Sequence, residues 1–186
     1  MKKVTLVVPC YNEADVLELL YNEVTAVFKN LTEYELELLL VDDGSKDETL
    51  NIIKSLAAKD DKVKFISFSR NFGKEAAMLA GLKNADGEYI GIIDADLQHS
   101  PDLLPPMLEA LEKEGYDVAA ARRTDRAGEA KLKSTLSESF YKVYNKFSDV
   151  QLEESAQDFR VMKRKVVEAI VSLSEKNRFS KGIFSW

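Results

Sequence analysis

The chain has 186 residues, 45% hydrophobic and 31% charged, the balance of an ordinary globular protein long enough to bury one real core. Its net charge of −6 speaks against a nucleic-acid binder, which carries a basic surplus. A single cysteine, Cys10, excludes an intrachain disulfide and fits a reducing compartment, and a single histidine excludes a His-rich metal site.

Met1-Lys2-Lys3 leads into only about five apolar residues before Pro9, too few for a signal peptide. No run reaches the roughly 18–20 apolar residues of a membrane span. Repeats, low-complexity tracts and linkers are absent, so one domain over 1–186 is expected.

In chain order, "VTLVV" (4–8) predicts a β-branched strand. Val16, Leu19, Leu20, Val24, Val27 and Phe28 then recur at helical spacing, with Asn12 placed to cap that helix. "ELELLLV" (35–41) predicts a strand buried on both faces. Ser45-Lys46-Asp47-Glu48 follows as a capping-box pattern opening a second helix. "VKFISF" (63–68), "YIGII" (89–93) and "YDVAAA" (116–121) predict three further strands, with helices near 74–84 and 102–114. Alternating β and α units imply an α/β fold, a mainly parallel Rossmann-like sheet with helices on both faces.

Beyond residue 122 the pattern changes. "RRTDRAGEAKLK" reads as a polar loop, followed by an apolar stripe of Leu132, Leu136, Phe140, Val143, Tyr144 and Phe147 flanked by Lys131, Lys133, Lys142 and Lys146. A helix packed on the domain and a helix lying on a membrane surface both fit it. The basic and aromatic ending (Lys176, Arg178, Phe179, Lys181, Phe184, Trp186) suits a membrane interface, and a solvated tail is its plainer reading.

Ligands of open α/β sheets bind beyond the carboxyl ends of the strands. The polar clusters here follow strands: "PCYNE", "DDGS", "SRNFGKE" and "DADLQH". One rim should therefore collect carboxylates, amides and glycines. Asp94 and Asp96, at i and i+2 of an extended segment, point the same way and repel unless a cation or donor lies between them. A hard divalent ion, Mg²⁺ or Mn²⁺, favours such oxygen ligands. The alternative is that the pair caps the helix after Pro101. His99 reads as a polar loop residue, Cys10 as a small packed one. Lys74 approaches a phosphate or merely follows a helix-start glycine.

No G-x-x-x-x-G-K-[ST] and no G-x-G-x-x-G after the first strand is present, which argues against a P-loop nucleotidase and a dinucleotide oxidoreductase. An aspartyl phosphatase would carry its aspartates after the first strand, where this chain has Cys10-Tyr11-Asn12-Glu13.

In this order and spacing, "VVPCYNE", "VDDGSKD", "RNFGKEAA" and "IDADLQHSP" resemble glycosyltransferase family 2. The likeness is to its polyprenyl-phosphate branch of dolichol-phosphate mannose synthases and bactoprenol glucosyltransferases. It extends to "DFRVM" (158–162) and "NRFSKGIFSW" (177–186). The resemblance implies a GT-A fold, a nucleotide-sugar donor and inversion at the anomeric carbon. It implies Mg²⁺ or Mn²⁺ as cofactor.

Residue by residue, it implies that Pro9, Tyr11 and Glu13 hold the nucleoside and that Asp42 bonds the base with Asp43 beside it. Asp94 would contact ribose or sugar, Asp96 would ligate the metal with Gln98 as a second ligand, and Arg122 and Arg178 would meet donor or acceptor phosphates. Asp158 takes the position of the catalytic base, which a lipid phosphate, largely ionised already, would hardly need.

The implied partners are a UDP-sugar in preference to GDP-mannose, undecaprenyl phosphate, and the cytoplasmic face of a membrane, with no nucleic acid and with self-association left open. Relatives of this branch commonly continue into transmembrane helices after the segment matching "RFSKGIFSW", so either a cut-down catalytic domain or one that meets the membrane only through its surface is expected. Rival readings are a transferase to a glycan hydroxyl, a non-catalytic nucleotide-sugar-binding or membrane-scaffold domain, and a metal-dependent phosphohydrolase.

Overall fold

Alternating strands and helices close into a single sheet. The computed structural model describes residues 1–122, 156–173 and 180–185. The strands are β1 (Lys2–Cys10), β2 (Tyr34–Asp42), β3 (Val63–Ser67), β4 (Tyr89–Ile92), β5 (Val118–Arg122) and β6 (Ala156–Lys163). Among them run α1 (Leu17–Lys29), α2 (Thr49–Lys59), α3 (Lys74–Asn84), α4 (Leu104–Lys113), α5 (Arg164–Ser172) and α6 (Ser180–Ser185). The sheet order is β3-β2-β1-β4-β6-β5. The four strands β1 to β4 are mutually parallel, and β6 is antiparallel to both β4 and β5.

The central strands are apolar because both of their faces are covered. Val4, Leu6 and Val8 of β1 pack with Leu17, Leu20 and Val24 of α1, Ile53 and Leu56 of α2, and Leu104, Leu108 and Leu111 of α4. On the opposite face Val7, Leu39, Val41, Ile90 and Ile92 pack with Ala77, Met78 and Leu82 of α3 and with Val167 and Ile170 of α5. Each such fully buried aliphatic side chain contributes about 1.5–3 kcal/mol. Gly81 sets the closeness of α3, since a Cβ there would collide with the Val7 side chain.

Four local expectations are corrected. Leu19 is not in the buried stripe of α1 but 52% exposed, and Leu17 takes that place. Asn12 does not cap α1: it adopts φ 57°, and its side-chain oxygen accepts the Lys46 N–H at 2.8 Å. Ser45 forms no capping box, because its hydroxyl accepts the Asn12 N–H at 3.0 Å. In both cases a bond between two rim loops replaces a local cap. Finally, β6, α5 and α6 add one strand and two helices to the expected elements, and β6 runs antiparallel in a sheet that is otherwise mainly parallel, as expected.

Phe184 lies partly buried on α6 with the Arg160 guanidinium 3.8 Å from its ring centre. The stripe at 132–147, Arg178 and Trp186 lie outside the described residues. Among the described residues, no helix is long and apolar enough to cross a membrane.

Candidate active site

Because β1 to β4 run parallel, their carboxyl ends share one edge, and a cavity of about 280 Å³ opens there. It is lined by Pro9, Cys10, Tyr11 and Glu13 after β1, Asp43 after β2, Asn71, Gly73 and Lys74 before and at the start of α3, and Asp94 and Asp96 after β4. All four rim clusters contribute.

The loops after β1 and β2 are stitched together. Besides the Asn12 and Ser45 bonds, the Glu13 N–H donates to Thr49 Oγ1 at 2.8 Å and the Ala14 N–H to Asp47 at 3.3 Å. Gly44 (φ 68°) is required where the β2 loop meets the next one, for a Cβ would come within 2.7 Å of the Asn71 nitrogen. Asp43, 3% exposed, accepts the Phe72 and Gly73 N–H groups at 2.7 and 2.8 Å. It thereby ties the loop that enters α3 to the end of β2.

Asp42 lies 1% exposed and does not line the cavity. Its carboxylate accepts the Ser45 N–H at 3.1 Å and the Ser67 hydroxyl at 3.0 Å, and so ties β2 to β3. The geometry thus gives Asp42 a structural task and brings its neighbour Asp43 to the cavity.

Neither Asp94 nor Asp96 caps the following helix. Ser100 does, accepting the Asp102 N–H at 3.3 Å. Asp96 accepts the Gln98 N–H at 3.1 Å, and Leu97 is held at φ 55°, a conformation that disfavours a branched side chain. This tight turn aims the exposed Asp96 into the cavity mouth. The Glu13 carboxyl is pushed above its ordinary value, first by burial and then by the negative charges of Asp96, Asp94 and Asp47.

The mouth therefore gathers carboxylate groups with hard oxygen atoms, a donor set that fits Mg²⁺ or Mn²⁺. Among the described residues no group of three or more His, Cys, Asp or Glu side chains is arranged to enclose an ion. Such an ion would need oxygen atoms from a ligand.

Among the described residues, one cation faces these carboxylates. Lys74 Nζ lies 2.6 Å from Asp94 Oδ1 and 2.7 Å from Asp158 Oδ2. Burial lowers the ammonium's pKa, but the hydrogen bonds to Asp158 and Asp94 outweigh it and hold the group above the ordinary lysine value. Asp158 stands on β6 two residues before Arg160, which pairs with Ile92, and Asp94 lies two residues after Ile92. The antiparallel register thus sets Asp158 across from Asp94.

Arg160, 4% exposed, donates from Nε to the Asp158 carbonyl at 3.3 Å. Burial lowers its pKa to about 10. Gln98 is exposed and Arg122 sits exposed at the end of edge strand β5; neither lines the cavity. His99 leans against the Phe159 ring, centroids 5.9 Å apart. Cys10 is buried with its thiol bonded to the Val8 carbonyl, and burial pushes its pKa up.

The model for glycosyl transferase family 2 matches residues 5–171. The chain belongs to this family. It is 45% identical over 184 residues to the prophage bactoprenol glucosyl transferase homolog of Escherichia coli (strain K12), covering 99% of this chain and 60% of that protein. It is equally 45% identical over 184 residues to the bactoprenol glucosyl transferase of Shigella phage SfV, covering 99% and 59%. The chain thus spans about three fifths of the length of these curated relatives.

Among solved structures, the mannosyltransferase PcManGT from Pyrobaculum calidifontis, in complex with GDP-Man and Mn²⁺, matches with a TM-score of 0.67 at 20% identity, covering 99% of this chain and 50% of that one. Glucosyl-3-phosphoglycerate synthase from Mycobacterium tuberculosis, in complex with Mn²⁺, UDP and phosphoglyceric acid, matches with a TM-score of 0.59 at 20% identity, covering 89% and 57%. The family 2 transferase domain described here has the GT-A fold.

Proposed function

We propose that this chain is the catalytic part of an inverting hexosyltransferase that moves a sugar from a nucleotide donor, UDP-linked in preference to GDP-linked, to undecaprenyl or another polyprenyl phosphate at the cytoplasmic face of a membrane. The observation that carries this reading is 45% identity to bactoprenol glucosyl transferases across 99% of the chain. The acidic cavity at the carboxyl edge supports it independently.

In this reading Pro9, Tyr11 and Glu13 hold the nucleoside, Asp42 bonds the base with Asp43 beside it, Asp94 meets the ribose or sugar, and Asp96 with Gln98 holds Mg²⁺ or Mn²⁺. A bound ion would supply positive charge to the departing diphosphate. The acceptor oxygen forms a bond to the anomeric carbon from the face opposite the leaving group. The carbon–oxygen bond to the nucleoside diphosphate breaks, and its electron pair leaves with the diphosphate. A lipid phosphate brings an oxygen already ionised, so no proton has to be removed; a sugar hydroxyl would have to give its proton to Asp158. Arg122 and Arg178 are proposed to meet phosphates.

Calorimetric titration of UDP and GDP with and without Mn²⁺, on the native chain and on Asp96→Ala, tests the donor half. Metal-dependent binding of one nucleotide that Asp96→Ala abolishes is the expected result. A folded chain that binds neither nucleotide would refute it. Donor consumption with undecaprenyl phosphate, compared with glycan acceptors, tests the acceptor half.

A further inference from the structure

Lys74 is the residue in the cavity whose role neither the donor contacts nor the acidic mouth accounts for. It is the first residue of α3, and α3 is fixed from two sides. Asp43 holds the Gly73 N–H at its start, and Gly81 seats it tightly on Val7. The ammonium is thus delivered by a rigid element rather than by a loop. It then bridges two carboxylates from different strands, Asp94 at 2.6 Å and Asp158 at 2.7 Å. These two stand across the antiparallel β4–β6 register, on the side of the sheet edge where two like charges would otherwise repel.

From this geometry we propose that Lys74 is a positioning residue for the transfer step, its ammonium holding Asp158 and Asp94 together in fixed places beside the point where the sugar changes partners. The proposal rests on the transferase reading and deepens it. An ammonium has three N–H donors. Two are committed to the carboxylates, so that Asp158 is held in place by its ion pair with Lys74. The arrangement suits an acceptor that arrives already ionised. The oxygen–carbon bond forms and the bond to the diphosphate breaks, with no proton passing to Asp158, and the site's task is to hold the two reactants in line. Misplacement by about 1 Å is enough to cost a hundredfold in rate.

The test uses the whole 186-residue chain with Lys74→Met, Lys74→Arg, Asp158→Asn and the Lys74→Met/Asp158→Asn pair. With UDP-glucose, Mn²⁺ and undecaprenyl phosphate, Lys74→Met should lower kcat about a hundredfold with donor KM changed less than about threefold. Calorimetric affinity for UDP with Mn²⁺ should hold within the same factor. Lys74→Arg should recover part of the rate, since a guanidinium can also bond both carboxylates. The double variant should be no slower than Asp158→Asn alone, because the residues act as one unit.

Loss of nucleotide affinity with kcat intact would overturn the proposal, as would unaltered kinetics or losses that multiply. The pairing is also read without turnover. The ¹³C carboxyl signals of Asp94 and Asp158, assigned with Asp94→Asn and Asp158→Asn, should both shift in Lys74→Met, and unmoved signals would refute the bridge. A wild-type chain that shows the bridge yet transfers to no acceptor refutes the transferase reading instead.

Discussion

Replacing Asp43 should reveal how much of the site's rigidity one buried carboxylate supplies. Asp43 is 3% exposed and accepts two backbone N–H groups, from Phe72 at 2.7 Å and Gly73 at 2.8 Å. Hydrogen bonds to a charged group contribute about 1.5–3 kcal/mol each, and a buried donor left without a partner loses its full desolvation cost. Asp43→Ala removes both acceptors and opens space too, so a loss of about 3–5 kcal/mol is expected. That is a large share of the roughly 5–15 kcal/mol by which a domain is stable. Asp43→Asn keeps one acceptor oxygen and turns the other end into a donor facing a donor, with an expected loss of about 2 kcal/mol. Urea unfolding gives the comparison directly: with a slope of about 2 kcal/mol per molar, the midpoints should fall by about 2 M and 1 M respectively. The slope itself should not change. An Asp43→Ala midpoint within about 0.3 M of the native one would refute the reasoning, since it would mean that solvent satisfies both N–H groups without cost.

Gly44→Ala combines a left-handed φ of 68° with a collision against the Arg70–Asn71 backbone, and should cost more than about 2 kcal/mol in thermal unfolding. Thr5→Val tests the opposite end of the sheet: the Thr5 hydroxyl donates to Glu37 at 2.8 Å and accepts the Gly87 N–H at 2.8 Å, so the isosteric change should cost about 1–3 kcal/mol by denaturant titration. For pH, burial tends to raise the Glu112 pKa, but hydrogen bonds from Lys2, Tyr34 and Tyr89 outweigh it, leaving the folded value below the ordinary 4.5. Its stabilisation is therefore present above pH 4.5 and lost as pH falls through the folded value. Glu112→Gln should flatten the fall of the urea midpoint below pH 4.5, and parallel pH curves for the two proteins would contradict this.

The sequence made some of this architecture legible and concealed the rest for physical reasons. β1, β2 and β4 announce themselves because a strand covered on both faces must be apolar throughout, and the polar turns after them then fall on one edge by parallelism alone. β6 carries no such signature. "AQDFRVMK" mixes Asp158 and the buried Arg160 with apolar residues, and the cost of burying that charge is met by partners brought from elsewhere, Phe184 among them. Local pattern also misassigned Asn12 and Ser45. Both are good helix caps on propensity, yet a bond across two loops satisfies the same groups and joins the rim as well. Lys74 shows the limit most clearly. A lysine after a glycine at a helix start reads equally as a group approaching a phosphate or as an ordinary helix-start residue, and nothing nearby in sequence points to a bridge between two carboxylates. Its meaning depends on an antiparallel strand placing Asp158 opposite Asp94, a relation between distant segments that no spacing along the chain encodes. Motif residues were therefore visible wherever the chemistry lies within one turn, and invisible where one side chain serves two strands. On that reasoning the residues that tune the transfer step, as opposed to those that bind the donor, are to be sought at contacts between β6 and the rim.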